Sequence, residues 1–163
     1  MPNKYPKRIR LKDFPYKGCY RYFITLTCHN QASHFANADF VTELRSRLKT
    51  TADQRDFRVW AYCFMPDHLH LLVEGKTEDA DMSKFVSTFK QKTAYWFKRR
   101  CGARLWQPNY YERVLRKDET TSAVARYIFE NPVRKGIAKN CAHYPHSGSF
   151  ELSDMTQAVT RNM

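Results

Sequence analysis

The residues Phe64-Met65-Pro66-Asp67-His68-Leu69-His70-Leu71-Leu72-Val73 predict the centre of a β-sheet. Pro66-Asp67 favours a tight turn, and apolar and polar side chains alternate in the residues that follow it. Such alternation is typical of a strand with one buried face. We therefore predict two antiparallel strands, over residues 57–65 and 68–74, joined by this turn.

His68 and His70 would share one face of the second strand, opposite Leu69, Leu71 and Val73. Alternate side chains on a strand lie about 6–7 Å apart, so two imidazoles can converge on one cation. On this spacing alone, a pair of solvent-facing histidines on a sheet is the alternative interpretation.

Two further strands and three helices surround this hairpin in the predicted fold. The strands are expected over residues 20–27 and 105–116, and the helices over residues 39–55, 81–100 and 118–130. Asp39 and Asp118 are the predicted N-caps of the first and third helices, and Asn131-Pro132 is predicted to end the third. The first six elements give βαββαβ, which predicts a ferredoxin-like α+β fold with both helices on one face of an antiparallel sheet. The third helix is an added C-terminal element.

The chain is expected to form a single domain over residues 1–163, with residues 1–18 as a basic N-terminal arm and residues 152–163 as a flexible tail. No apolar run approaches the length needed to span a bilayer. The five cysteines include no Cys-x-x-Cys pair. That pattern argues against a disulfide framework or zinc knuckle and favours reduced thiols in the cytoplasm.

The net charge of +12 is concentrated in two blocks of the sequence. Residues 1–21 carry seven basic side chains and one acidic one, and residues 84–117 carry ten basic and one acidic. Such blocks predict a polyanionic partner, with nucleic acid ahead of an anionic membrane surface. Aromatic residues interleaved with the second block further favour nucleic acid. The cations expected to contact DNA phosphates along the second helix are Lys90, Lys92, Lys98, Arg99 and Arg100.

Tyr127 and Asn131 are four residues apart on the third helix and would lie on one helical face. A phenol can attack a phosphodiester and hold the cleaved strand as a phosphotyrosine. An amide oxygen could add a third ligand to an ion held by His68 and His70 and leave positions open, a set that suits Mg²⁺ or Mn²⁺. Taken singly, Tyr127 is more typical of a core or stacking residue, and Asn131 of a helix stop.

Two motifs resemble one family of DNA-processing enzymes. Residues 65–73 resemble the histidine–hydrophobic–histidine signature of the single-tyrosine HUH endonucleases, the IS200-like transposases. Residues 126–137 resemble the nucleophile helix of their REP-associated tyrosine transposase branch. The resemblance implies one HUH-type nuclease domain that acts on single-stranded DNA as a metal-dependent endonuclease and strand transferase. It implies cleavage through a covalent 5′-phosphotyrosine, at or near the hairpins of REP elements.

The same resemblance assigns roles to individual residues. It implies His68 and His70 as metal ligands, Tyr127 as the nucleophile and Asn131 as the third ligand, with Mg²⁺ or Mn²⁺ as the cofactor. Asp67 stands where asparagine is common in the family, a departure that does not touch the expected chemistry. A monomer is favoured, with a dimer as the alternative.

Two other functions stay open at this point. A non-catalytic nucleic-acid-binding module on a ferredoxin-like fold would stack bases on aromatic side chains of the open sheet face and need no metal. A zinc-dependent hydrolase would need another histidine, cysteine or carboxylate at a fitting spacing, and the sequence offers no convincing candidate.

Overall fold

The computed structural model describes residues 10–152 of the 163-residue chain. The strands are β1 (Arg21–Thr27), β2 (Phe57–Met65), β3 (His68–Gly75), β4 (Tyr111–Val114) and β5 (Ser147–Gly148). The helices are α1 (Ala38–Gln54), α2 (Met82–Cys101) and α3 (Thr121–Arg134). Within residues 10–152, no helix is both long enough and apolar enough to cross a bilayer.

One antiparallel sheet carries all five strands in the order β4-β1-β3-β2-β5. The predicted hairpin is present, with Met65 opposite His68 across the Pro66-Asp67 turn. β1 lies between β3 and β4, which places Thr25 opposite His70. The α+β ferredoxin-like prediction is confirmed. The first four strands have the ferredoxin-like order β4-β1-β3-β2, and β5 is an extra edge strand.

The two faces of the sheet pack against different helices. Alternate residues of β1 show the division, because Tyr22 and Ile24 belong to one core and Phe23 belongs to the other. The larger core holds α1 and α2, which contact each other. The smaller core holds α3, which packs mainly against β2 and β3. Leu69 and Leu71 lie in the larger core, so His68 and His70 point to the α3 side.

The start of α1 differs from the sequence prediction. Asn37 is the N-cap, and its side-chain oxygen accepts hydrogen bonds from the backbone N–H groups of Asp39 (2.9 Å) and Phe40 (3.3 Å). The predicted cap, Asp39, was wrong and instead lies in the first turn. Its negative charge there complements the positive end of the helix dipole.

Both predicted boundaries of α3 were wrong. Thr120 caps the helix by accepting from the backbone N–H of Ala123 (3.1 Å), so the helix starts three residues after Asp118. The helix also continues through Pro132, which lies in its last turn. Proline there removes one intrahelical hydrogen bond, while the Lys135 N–H still bonds the Asn131 carbonyl at 3.0 Å. Burial of Pro132 against the body outweighs the local preference of the preceding residue for extended geometry.

The C-terminal part of the described chain contributes more structure than predicted. β5 pairs with β2, with Ser147 opposite Cys63. The Tyr144 hydroxyl donates to the Phe64 carbonyl at 2.6 Å and fastens this segment to the sheet. The last predicted strand is confined to β4 within residues 111–114.

The two predicted terminal segments fall mainly outside the described residues. Residues 1–9 of the predicted arm lie outside, as does the predicted tail apart from Leu152. Residues 10–18 of the arm contact the body of the domain. Arg10 Nε bonds Glu112 Oε1 at 3.0 Å, and the Tyr16 side chain is buried.

Candidate active site

The two histidines of β3 converge on each other. His68 Nε2 and His70 Nε2 lie 3.0 Å apart. Each ring is held by its other nitrogen: Asp67 Oδ1 lies 2.6 Å from His68 Nδ1, and Thr25 Oγ1 lies 2.9 Å from His70 Nδ1. The register between β1 and β3 supplies the second contact, because it places Thr25 opposite His70. Four side chains therefore fix the position of one pair of nitrogen atoms.

The hydrogen bonds indicate which nitrogens carry protons. A carboxylate only accepts, so Asp67 assigns the proton of a neutral His68 to Nδ1 and leaves an unprotonated Nε2. If the Thr25 hydroxyl accepts a hydrogen bond from His70 Nδ1, Nε2 of His70 is also unprotonated. If the hydroxyl instead donates to Nδ1, Nε2 of His70 carries the proton and can donate to Nε2 of His68. Two nitrogens about 2.1 Å from one octahedral ion lie about 3 Å apart. The geometry of the pair therefore fits two ligands of one divalent ion.

The electrostatics of the site favour a neutral His70. Burial lowers the pKa of His70 to about 3, and the positive charges of His68, Arg134 and Lys135 act in the same direction against the opposing effect of Asp67. At neutral pH His70 therefore carries no charge. Its ring can hold a cation, because metal ligation needs the unprotonated form.

The set of possible metal ligands is small. Among residues 10–152, no group of three or more histidine, cysteine, aspartate or glutamate side chains could hold a metal ion. An ion on His68 and His70 would therefore take its remaining ligands from an amide, from water or from a phosphate oxygen. The donor set is compatible with Mg²⁺ or Mn²⁺ and lacks the closed set of nitrogen and sulfur ligands of a structural zinc site.

Tyr127 lies on α3, the helix on the same side of the sheet as the histidines. The Phe23 ring lies between them, with centroid distances of 5.5 Å to His70 and 6.1 Å to Tyr127. Tyr127 and His70 also line one cleft of about 780 Å³. Tyr127 is 54% exposed. The structure thus brings the predicted nucleophile and one predicted metal ligand into a common cleft.

Asn131 lies one helical turn after Tyr127 and is only 5% exposed. The regular backbone of α3 keeps the two residues on one helical face, as predicted. The charges of Arg134 and Lys135 act on His70, so the end of α3 approaches the histidine pair. Asn131 therefore lies between two parts of α3 that border the site, and its role as a ligand stays a prediction.

Arg134 is a site residue that the sequence analysis missed. Its guanidinium lies 4.1 Å from the centroid of the Tyr127 ring, and Nη2 donates to the Tyr127 carbonyl at 2.7 Å. Nη1 lies 3.6 Å from Glu130 Oε2. Arg134 lies seven residues, or two helical turns, after Tyr127, and this spacing could have identified it from the sequence. Thr25 was also missed, and only the pairing of β1 with β3 reveals it.

The predicted DNA-binding cations lie away from the candidate active site. Lys90 donates to the carbonyls of Gln107 (2.9 Å) and Pro108 (3.1 Å), and Lys92 donates to Gln54 Oε1 (2.6 Å). These residues, together with Lys98, Arg99 and Arg100, belong to α2, which packs on the sheet face opposite to His70 and Tyr127. The structure does not bring them to the histidines, and their contact with DNA stays a prediction.

Comparison with known proteins identifies the family. The family described as "Transposase IS200 like" matches residues 17–131. A REP-associated tyrosine transposase of Escherichia coli is 26% identical over 127 residues, which cover 77% of this chain and 74% of that protein. A Haemophilus influenzae protein, provisionally given the same name, is 25% identical over 147 residues, covering 83% of this chain and 82% of its own length.

A solved structure shows the same fold. It is that of a REP-associated tyrosine transposase bound to a REP hairpin, and it superposes with a TM-score of 0.71. The match covers 85% of this chain and 81% of that chain at 24% identity. The matched family region contains the hairpin with both histidines, the first four strands of the sheet and α3 as far as Asn131. The chain therefore belongs to the IS200-like transposase family.

Proposed function

We propose that this protein cleaves and rejoins single-stranded DNA with Tyr127 as the nucleophile, and that His68, His70 and Asn131 hold Mg²⁺ or Mn²⁺. One observation carries the proposal. The convergent histidine nitrogens, 3.0 Å apart, lie beside the cleft that the exposed Tyr127 lines. A nucleophile beside a cation site suits in-line attack on a phosphodiester, because the cation can stabilise the charge that develops on the phosphate.

In the proposed reaction, the Tyr127 hydroxyl oxygen attacks the phosphorus of a phosphodiester. The new bond joins tyrosine to the 5′ phosphate, the bond from phosphorus to the 3′ oxygen breaks, the phenol proton goes to water, and the leaving oxygen takes a proton from water. When bound, a divalent ion would polarise a non-bridging phosphate oxygen and stabilise the negative charge of the transition state. A 3′ hydroxyl can later attack the phosphotyrosine and restore a diester without a nucleotide cofactor, because the covalent link conserves the bond energy.

The residues around Tyr127 suit this chemistry. The guanidinium of Arg134 lies over the phenol ring and holds the ring in place. Asp67 and Thr25 fix both imidazole rings, so little reorganisation accompanies catalysis.

Single-stranded DNA beside REP hairpins is the proposed substrate. The net charge of +12, the names of the relatives and the REP hairpin in the similar solved structure support this choice. A monomer is the proposed working form, with a dimer as the alternative. The cytoplasm is the proposed location, because all five cysteines of the chain are free thiols, as expected in a reducing compartment.

A single experiment tests the reaction. We expect a single-stranded DNA hairpin labelled at its 3′ end, incubated with the protein and MnCl₂, to give a labelled protein band that survives denaturing electrophoresis. The released strand should carry a free 3′ hydroxyl, and EDTA should remove both products. Cleavage that leaves a free 5′ phosphate and no covalent band would contradict the proposal, because water would then be the nucleophile. Binding without cleavage would favour a non-catalytic nucleic-acid-binding module.

Thr25→Val is expected to weaken Mn²⁺ binding by about tenfold, because hydrogen-bond partners of ligating histidines typically contribute 10- to 100-fold in metal affinity. Valine is close to threonine in shape and lacks the oxygen that lies 2.9 Å from His70 Nδ1. Isothermal titration with MnCl₂ measures the change. Thr25→Ser keeps the hydroxyl and is the matched control, expected to bind within about twofold of the wild type. Equal affinities for wild type and Thr25→Val would remove Thr25 from the site.

A further inference from the structure

The cleft beside Tyr127 extends from His70 over β1 and β4, whereas α3 packs mainly on β2 and β3. Tyr111 and Arg113 of β4 stand opposite Thr25 and Phe23 of β1. Residues directly opposite each other in an antiparallel pair share a face. The edge strand β4 therefore forms the outer border of the cleft, with Phe23 at its floor.

Two exposed tyrosines flank that floor. Tyr111 is 55% exposed, and its ring centroid lies 6.3 Å from that of Phe23 at an interplanar angle of 73°. Tyr127 lies 6.1 Å from the same ring on α3. An exposed aromatic ring at the border of a cleft offers a flat apolar surface that the fold itself leaves uncovered. A planar aromatic ligand would cover it.

The far end of the cleft is unsuited to phosphate. Both Oε atoms of Glu119 lie 2.7 Å from Arg113 Nη1, and the Arg116 backbone N–H donates to Oε2 at 2.7 Å. The Arg116 backbone hydrogen bond, followed by the Arg113 hydrogen bond, lowers the pKa of Glu119, so it stays ionised and neutralises Arg113. Asp118 adds a second carboxylate to the lining. Carboxylates repel phosphate but accept hydrogen bonds from the N–H groups of a base.

We propose that this cleft is a subsite for one unpaired nucleobase of single-stranded DNA, stacked on Tyr111 next to the phosphate that Tyr127 attacks. The location beside the attacked phosphate rests on the proposed function, whereas stacking on Tyr111 rests on the cleft alone. Its volume of about 780 Å³ lies within the range of small-ligand sites. The polar end receives the hydrogen-bonding edge of the base, and the sugar–phosphate backbone runs along the open side towards His70.

The test is DNA affinity, measured by fluorescence anisotropy with a fluorescein-labelled single strand of twelve deoxycytidines at pH 7.5. Tyr111→Ala is expected to weaken binding about fivefold or more, because loss of one base–aromatic stack typically removes at least that factor. Tyr111→Phe keeps the ring and should bind within about twofold of the wild type. The slope of affinity against NaCl concentration should stay unchanged in Tyr111→Ala, because no phosphate contact is lost.

DNA without bases provides the matched control. A strand of twelve abasic sugar–phosphates should bind wild type and Tyr111→Ala equally, because it has no base to stack. Circular dichroism establishes that each variant is folded.

Three results would overturn the subsite. They are equal affinity of wild type and Tyr111→Ala for the deoxycytidine strand, an equal loss in Tyr111→Phe, and an equal loss of Tyr111→Ala affinity for the abasic strand. The assay needs no cleavage, so its outcome is separate from that of the covalent reaction. A covalent adduct with no effect of Tyr111→Ala would refute the subsite alone. A Tyr111 effect without any adduct would refute the proposed function and leave the stacking site.

Discussion

Tyr127→Phe is expected to abolish the covalent protein–DNA adduct, by at least about a thousandfold, while DNA affinity stays within about twofold of the wild type. Phenylalanine lacks the oxygen that forms the bond to phosphorus. It keeps the ring that packs beside Phe23 at 6.1 Å and beneath the Arg134 guanidinium at 4.1 Å. Because the Tyr127 side chain is half exposed, the variant should also keep the stability of the wild type. Denaturing electrophoresis of labelled DNA measures the adduct, and anisotropy measures the affinity.

Tyr95→Phe provides the control for this prediction. It removes the hydroxyl of another exposed tyrosine, on the opposite side of the sheet, and should form the adduct at the wild-type rate. An adduct formed at a comparable rate by Tyr127→Phe would assign the nucleophile to another residue. Loss of DNA binding in Tyr127→Phe would instead give the hydroxyl a role in binding.

Local patterns predicted the centre of the fold well. The alternation of residues 57–65 and the Pro66-Asp67 turn placed β2 at its observed bounds and β3 within one residue. These signals work because strand period and turn chemistry depend on neighbouring residues alone. The end of α3 failed for the opposite reason. Pro132 obeys a local rule against continuing a helix, but its packing against the body of the domain overrides that rule.

The candidate active site shows the same contrast between features that depend on neighbouring residues and features that depend on long-range packing. Strand periodicity was enough to place His68 and His70 on one face, and helix periodicity placed Asn131 one turn after Tyr127. The meeting of β3 with α3 came from the resemblance to a family, since no local pattern tells which sheet face a helix covers. Thr25 and Tyr111 stayed invisible because they reach the site through pairing between strands distant in sequence.

Charge blocks carried the least positional information. The ten basic residues of 84–117 predicted a polyanionic partner correctly as a class for this family, but a block does not reveal which side of the sheet its residues occupy. Arg134 lies outside that block and contacts Tyr127 directly. The cations of α2 lie on the opposite face of the sheet, whereas Arg134 lies on the same helix as Tyr127.

His70→Ala is expected to abolish adduct formation and to weaken Mn²⁺ binding by at least about a hundredfold. Removal of one ring from the converging pair leaves a single imidazole and the proposed Asn131 amide, which are too few protein ligands to hold the ion tightly. His68→Ala should behave in the same way. Calorimetric titration with MnCl₂ measures the affinity, and the denaturing gel measures the adduct. His143→Ala removes an exposed histidine near Tyr144, away from β3, and should leave both readouts unchanged.

The two sets of variants separate nucleophile from metal site. Tyr127→Phe should keep Mn²⁺ affinity and the rise in melting temperature that a ligand of the folded state produces, whereas His70→Ala should lose both. In the absence of metal at neutral pH, where the imidazole is uncharged, His70→Ala should melt slightly below the wild-type temperature, because it loses the ring's contacts with Phe23 and Thr25. Undiminished cleavage in both histidine variants would remove the metal from the mechanism and leave Arg134 as the nearest fixed positive charge beside Tyr127. A loss of cleavage with unchanged Mn²⁺ affinity would make the histidines proton carriers instead of ligands.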